Sequence, residues 1–350
     1  MNRTPLRLGV IGLAGYGGTY FRSLAGRDVV TITALCDTNP DSLKNVAETH
    51  GIERTFTDYR DLLQAEVTDA VCIATPHFLH HPMALAALRA GQHVFCEKPL
   101  TITAPDSDEL ASMARANELV LTCHYNQRTT DYVATLRQIV RQGLLGDVYH
   151  IRAEWLARHT TFMFASTTVW RQSREKSGGG IFIGRGSHLI DAALHLLDFP
   201  RVEGIRATMS NRLAGGEVDD FAAATLTLAG GTSISVEVTY LSHLPEPRDR
   251  MHWRLYGQDG GAEYFSGTDA PARLTAGSCA FPGTEWTDLT PQIDTAAARA
   301  SAPHSLLHDF IAAIREKRDP FVTAEQAATV TRILEAGYHS AETGREITLS

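Results

Sequence analysis

From residue 6 onward, short apolar runs alternate with amphipathic stretches. Residues 6–11 (LRLGVI), 31–36, 70–74, 93–96 and 120–123 are apolar over most of their length, as strands buried on both faces are. Between them, residues 42–50, 59–63, 80–89 and 104–117 place apolar side chains at helical spacing, and a short strand is expected near 54–56. Strand and helix alternate at the length of βαβ units, which predicts a parallel, doubly wound α/β sheet. After Tyr125 the pattern changes: a helix over 131–142 precedes strands at 148–156, 202–209, 221–228, 233–241, 252–256 and 262–265. Turns such as Ala229-Gly230-Gly231-Thr232 and Gln258-Asp259-Gly260-Gly261 separate several of these, so antiparallel hairpins are expected. Two helices, 305–315 and 324–342, close the chain.

The first strand runs into Gly12-Leu13-Ala14-Gly15-Tyr16-Gly17-Gly18 and then an amphipathic stretch to Ala25. Strand, glycine loop and helix in this order form a dinucleotide site, in which the glycines allow a tight turn and bring backbone N–H groups to a pyrophosphate. Aligned on Gly12 the loop reads G-x-A-x-x-G, with Ala14 where closest backbone approach favours glycine. The next strand delivers Asp37 about 20 residues beyond Gly17, the spacing of the ribose-binding acid. A carboxylate there accepts hydrogen bonds from the ribose hydroxyls and repels a 2′-phosphate, which favours NAD over NADP.

The strand at 93–96 ends in Glu97-Lys98-Pro99. In an open parallel sheet, ligands bind outside the carboxyl ends of the strands, so Lys98 is a candidate for polarising a hydroxyl or carbonyl, or for relaying its proton. An arbitrary Glu-Lys pair is more often a solvated strand terminus; the dinucleotide pattern upstream favours the chemical role.

The 350 residues suggest about two domains, and 43% hydrophobic with 21% charged residues is ordinary globular composition. A net charge of −8 argues against nucleic acid and anionic membrane surfaces, leaving small molecules as partners. No apolar run approaches the ~20 residues of a membrane span, and the start of the chain leads into a strand with no signal-peptide pattern, so a cytoplasmic location is expected. Of five cysteines, Cys36, Cys72, Cys96 and Cys123 fall at strand ends and read as core residues, without the spacing of a disulfide framework or a structural zinc site.

Taken together, the glycine loop, Asp37, Ala74-Thr75-Pro76, the helix ending Arg89-Ala90-Gly91, and Glu97-Lys98-Pro99 resemble the Gfo/Idh/MocA family of oxidoreductases. Gly178-Gly179-Gly180 followed by Gly186, His188 and Asp191 resembles the family's second signature, so the resemblance spans the whole chain. It implies an N-terminal Rossmann domain over residues 1–124. It also implies a C-terminal α/β domain over 125–350 whose open, mostly antiparallel sheet serves in a homodimer or homotetramer. The catalytic pair it implies is Lys98 and His188. Cofactor contacts are implied for Gly12, Ala14, Gly15, Tyr16, Gly17, Asp37, Thr75, Pro76, His80, Glu97 and Lys98, joined by Asn126, Trp170 and Arg171. Substrate contacts are implied for Tyr125, Arg158, Arg185 and His188.

In the second half, His188, Asp191 and His195 stand at i, i+3 and i+7 and share one helix face. Buried histidines satisfied by Asp191, a metal site and a catalytic histidine are the competing readings. No further ligand is evident for a metal, so Asp191 and His195 read as structural and His188 as the functional residue. Many members of the family carry an acid where this chain has Gly184, so a carboxylate that orients substrate or histidine is missing. The long segment 157–176, with Phe162, Phe164, Trp170, Arg171 and Arg174, suits a specificity loop with aromatic faces for sugar rings, or an ordinary packed loop. His304 stands where some relatives have a tyrosine.

The leading expectation is an NAD-dependent dehydrogenase acting on a secondary alcohol of a sugar, glycoside or cyclic polyol, with no metal. Two alternatives remain at this point: glycosidic-bond cleavage with transient oxidation, and a non-catalytic dinucleotide-binding regulator.

Overall fold

Six strands form the expected parallel sheet: β1 (Leu6–Ile11), β2 (Val30–Cys36), β3 (Thr55–Phe56), β4 (Ala70–Ile73), β5 (His93–Cys96) and β6 (Leu121–Cys123). Their order is β3-β2-β1-β4-β5-β6, so the order reverses between β1 and β4. Register brings the carboxyl ends of the strands level, since Ile11 pairs with both Cys36 and Ile73, Ile73 with Cys96, and Cys96 with Cys123. The residues that follow, Gly12, Asp37, Ala74, Glu97 and His124, therefore line one edge of the sheet, where an open α/β sheet binds ligands. Every residue of β4 is buried, as its unbroken apolar sequence AVCI requires between two helical layers. This is a computed structural model, and it describes residues 4–15, 17–24, 29–157, 166–213, 215–242, 249–268, 270–279 and 285–349.

The chain divides into two compact units, Met1–Tyr125 with His304–Thr331, and Asn126–Pro303 with Arg332–Ser350. The sequence reading drew a single boundary at 124/125; the first unit also takes back a late segment. In that segment Ser305 caps the helix Leu306–Glu316 by accepting from Leu307 N, and Phe310 packs on Phe95 of β5 with ring centroids 5.7 Å apart. Thr122 Oγ1 donates to the Val322 carbonyl over 2.7 Å, tying the segment to β6.

The second unit is built on a nine-stranded sheet: β7 (Val148–Ala157), β8 (Val202–Ser210), β9 (Phe221–Leu228), β10 (Ser233–Thr239), β11 (Asp249–Gly257), β12 (Gly261–Gly267), β13 (Ala270–Cys279), β14 (Trp286–Asp288) and β15 (Ile347–Thr348). All neighbours are antiparallel except β7 and β10, which run parallel from Ser233↔His150 to Thr239↔Leu156. The helix Ser187–Leu196 is buried at every position, His188, Asp191 and His195 included. The helix Asp131–Arg141 buries Val133, Leu136 and Ile139, and Tyr132 stacks on Tyr264 of β12 at 4.2 Å. Among the described residues no helix is long and apolar enough to cross a membrane.

Candidate active site

The ligand edge of the first unit is a set of fixed backbone turns. Gly12 donates its N–H to the Cys36 carbonyl over 2.9 Å and has φ +86°, and a Cβ there would meet the Ala74 carbonyl oxygen at 2.5 Å. Only glycine fits where the first and fourth strands come this close. Ala14 and Gly15 are exposed beyond that turn and Gly17 is buried behind it. Asp37 accepts from Leu13 N on Oδ2 at 2.7 Å and from Asn39 N on Oδ1 at 2.8 Å, so the glycine loop and the acid are one hydrogen-bonded assembly. Asn39 in turn caps the helix Pro40–His50 by accepting from Asp41 N and Ser42 N. A tight glycine turn beside a fixed carboxylate fits the pyrophosphate and ribose of NAD.

The Glu97-Lys98-Pro99 turn is held from below. Glu97 is buried, and its Oε1 accepts from the Tyr20 hydroxyl at 2.6 Å and lies 2.7 Å from His124 Nδ1. Burial pushes the Glu97 carboxyl up, but His124, the Tyr20 hydrogen bond and the Lys98 ammonium outweigh it and hold it below the usual carboxylate range. Burial and the Glu97 charge together push the Tyr20 phenol well above its ordinary range, so it stays a donor. Lys98 is partly exposed, set on this anion at the end of β5. A lysine beside a fixed carboxylate, at the edge where a dinucleotide binds, can stabilise an alkoxide and pass a proton.

His80 opens the helix that follows the Thr75-Pro76 turn. Its ring is fully buried, with Nδ1 2.7 Å from the Pro99 carbonyl oxygen and Nε2 3.0 Å from that of Thr75. Burial pushes its pKa down against the pull of those two carbonyls. The ring thus bridges the Thr75-Pro76 and Lys98-Pro99 turns. Tyr125 is likewise fully buried.

In the second unit, a π-helical turn, Phe182–Gly186, leads into the helix Ser187–Leu196. π turns recur at functional sites because the extra residue re-aims the side chains around them. Asp219 anchors its start, accepting from Gly180 N and Phe182 N at 2.7 Å each and from the Tyr338 hydroxyl at 2.9 Å. His188 is 8% exposed, with its ring 6.1 Å from that of Trp155 on β7. The Arg185 guanidinium lies 4.5 Å from the same indole and 5.5 Å from the Tyr240 ring. Arg171 covers Trp170 at 4.2 Å in the 3-10 stretch Ser166–Gln172. Asn126 opens a further 3-10 stretch, and its buried Oδ1 has no hydrogen-bond partner among the described residues, as an atom awaiting a ligand donor would.

Asp191 does not serve the histidines. It forms a fully buried, two-pronged ion pair with Arg128, Nε to Oδ2 at 2.8 Å and Nη2 to Oδ1 at 2.6 Å. His195 is buried, and burial together with Arg128, Arg137 and Arg141 pushes its pKa down to about 2. Gly184 also has a spatial reason: a Cβ there would collide with the Tyr240 hydroxyl. His304 is exposed and parallel to His308, with ring centroids 6.2 Å apart. Tyr16, Arg158, Phe162 and Phe164 lie outside the described residues.

Gly12, Ala14, Gly15, Gly17, Asp37, Thr75, Pro76, Glu97 and Lys98 thus stand along one edge of the first unit, and Asn126, Trp170, Arg171, Arg185 and His188 belong to the second. Sequence reasoning missed Tyr20, His124, Arg128, Trp155 and Tyr240. Only His124 carried a local signal, its place just after β6 at the carboxyl edge.

The strand order and the glycine–acid turn define a Rossmann dinucleotide-binding protein with a second, mixed-sheet unit. Residues 6–125 match the model of the oxidoreductase family with an NAD-binding Rossmann fold, and residues 133–263 match the GFO/IDH/MocA C-terminal domain. The chain belongs to the Gfo/Idh/MocA family of oxidoreductases, and its first unit is that family's NAD-binding domain. It is 27% identical to the D-glucoside 3-dehydrogenase of Escherichia coli strain K12, over 100% of this chain and 99% of the relative. It is also 27% identical to the levoglucosan dehydrogenase of Pseudarthrobacter phenanthrenivorans, over 65% of this chain and 63% of that one. The solved complex of a levoglucosan dehydrogenase with NADH and L-sorbose shares the fold, with a TM-score of 0.81 and 21% identity over 99% of this chain and 100% of that one.

Proposed function

We propose that this protein is an NAD-dependent dehydrogenase that oxidises a secondary alcohol of a sugar, glycoside or cyclic polyol, with Lys98 and His188 managing the hydroxyl proton. The observation that carries the assignment is the Glu97–Lys98 turn: a lysine on a buried carboxylate, itself braced by Tyr20 and His124, on the same sheet edge as Gly12 and Asp37. NAD, when bound, supplies the hydride acceptor. Lys98 lowers the cost of the alkoxide that forms as the hydroxyl loses its proton, and His188 takes that proton up. Glu97 sets a buried negative charge beside the ammonium, and His80 holds the turn that carries it. The glucoside 3-dehydrogenase and levoglucosan dehydrogenase relatives support a carbohydrate as substrate. We further take the protein to be cytoplasmic and a homodimer or homotetramer, acting on small molecules and not on nucleic acid or membrane. A panel of sugars, methyl glycosides and inositols, followed by NADH absorbance, should give net NADH with at least one member; NAD binding without turnover of any would contradict it.

A further inference from the structure

The second unit gathers Arg185, Trp155 and Tyr240 beside His188, and the first three are not explained by the hydride transfer itself. We propose that the alcohol to be oxidised belongs to an anionic sugar, a uronate or another carboxylate-bearing glycoside, and that Arg185 with Tyr240 binds the carboxylate. This rests on the dehydrogenase assignment above and narrows it.

Arg185 is held for such a role. Its guanidinium lies 4.5 Å from the Trp155 ring and 5.5 Å from the Tyr240 ring, with the side chain 13% exposed. A planar guanidinium fixed by aromatic faces presents the fork that pairs with a carboxylate through parallel hydrogen bonds. Its one acidic partner among the described residues is Asp249, whose oxygens are 3.4 and 3.5 Å away and whose side chain is 47% exposed. Charge-assisted bonds of this kind ordinarily close to about 2.7–2.9 Å. Arg128 in the same unit shows the contrast, with its carboxylate at 2.6 and 2.8 Å and no exposure at all. Arg128 is saturated; Arg185 keeps capacity for a second, closer oxyanion.

The neighbours agree. Trp155 is shared, since its indole lies 6.1 Å from the His188 ring and 4.5 Å from the Arg185 guanidinium. Because both side chains face this one indole, a sugar whose carboxylate is held by Arg185 lies beside His188. Where an acid at position 184 would repel such a substrate, this chain has glycine, and the Tyr240 hydroxyl occupies the space beside it. Burial raises the Tyr240 pKa to about 12 although Arg185 and Arg171 pull it down, so at neutral pH the phenol keeps its proton and can donate to the carboxylate.

Matched pairs that differ only at the carboxylate test this: methyl β-D-glucuronide against methyl β-D-glucoside, galacturonate against galactose, and gulonate against gulitol, each with NAD and followed as NADH. The wild type should favour the acid of at least one pair by about tenfold or more in kcat/KM. Hydrogen bonds to a charged group contribute about ten- to hundredfold. Arg185→Gln should therefore erode that preference by about as much, chiefly through KM, and Arg185→Lys, which keeps the charge without the fork, by less. Turnover of the neutral members in preference to the acids overturns the inference and leaves the dehydrogenase assignment standing. So does a loss in Arg185→Gln that is equal for both members of a pair. No NADH from any member, nor from the broader sugar panel, defeats the dehydrogenase assignment and this inference with it.

Discussion

Asp37 is a hydrogen-bonded anion in a fixed place, because Leu13 and Asn39 hold its two oxygens. A 2′-phosphate would bring like charge against it, so NAD should exceed NADP in kcat/KM. Asp37→Ser should narrow that ratio by about tenfold or more, the equivalent of about 1.4 kcal/mol. Thr38 and Asn39 offer no cation, so NADP should not become strongly preferred; a wild type that favours NADP would remove Asp37 from the ribose. His195 makes a prediction of a different kind. Its pKa is pushed down to about 2 in the folded protein, first by burial and then by three arginines. The unfolded chain binds a proton there near pH 6.5 that the folded chain refuses. The linked stability is thus fully present above that pH and lost as the pH falls below it, at up to about 1.4 kcal/mol per pH unit. His195→Gln should flatten the decline in urea-unfolding free energy between about pH 6.5 and 5; equal slopes in both proteins would show that His195 titrates normally.

At the scale of elements, the helix Ser187–Leu196 and its π turn are fixed by partners far away in sequence. The Arg128–Asp191 pair joins it to the 3-10 stretch that begins at Asn126. Removing one partner leaves a buried charge, so Arg128→Met or Asp191→Leu should each cost about 3–5 kcal/mol in chemical denaturation. The double variant should cost much less than the sum, because both charges then go; additive losses would mean that the pair is not coupled. The apolar run from Ile181 made a buried helix legible, and so did the shared face of His188, Asp191 and His195. The π turn was not legible, because a reading at 3.6 residues per turn has no place for the extra residue. Nor was the partner of Asp191, since nothing near it in sequence names an arginine 63 residues away. Gly184 was visible as a departure, but the Tyr240 hydroxyl beside it comes from a distant segment, and the parallel pairing of β7 with β10 was hidden as well. Hairpin signals cannot reveal a parallel pairing.

Over the whole molecule, the βαβ alternation carried most of the first unit. Continuous apolar strands at 6–11, 70–73 and 93–96 have few alternatives to a doubly buried parallel sheet, and their level ends put Gly12, Asp37 and Glu97 on one edge. The membership of residues 304–331 was hidden, because the apolar face of the helix Leu306–Glu316 fits either unit equally well by pattern and contacts such as Phe310–Phe95 and Thr122–Val322 decide. Strands β13 and β14 were missed for a similar reason: β13 carries a proline and a glycine and buries only two of its ten residues, and β14 is three residues long.

The central claim, that Lys98 acts on the reacting oxygen of an NAD-dependent dehydrogenase, is tested most directly by Lys98→Met. The substitution keeps the apolar stem and removes the ammonium. Acid–base groups contribute about 10² to 10⁴ in rate, so kcat on the best sugar of the panel should fall by at least that range while the NAD dissociation constant, measured by calorimetry, changes little. Retention of most of kcat, with NAD binding lost, would make Lys98 a cofactor anchor and contradict the account.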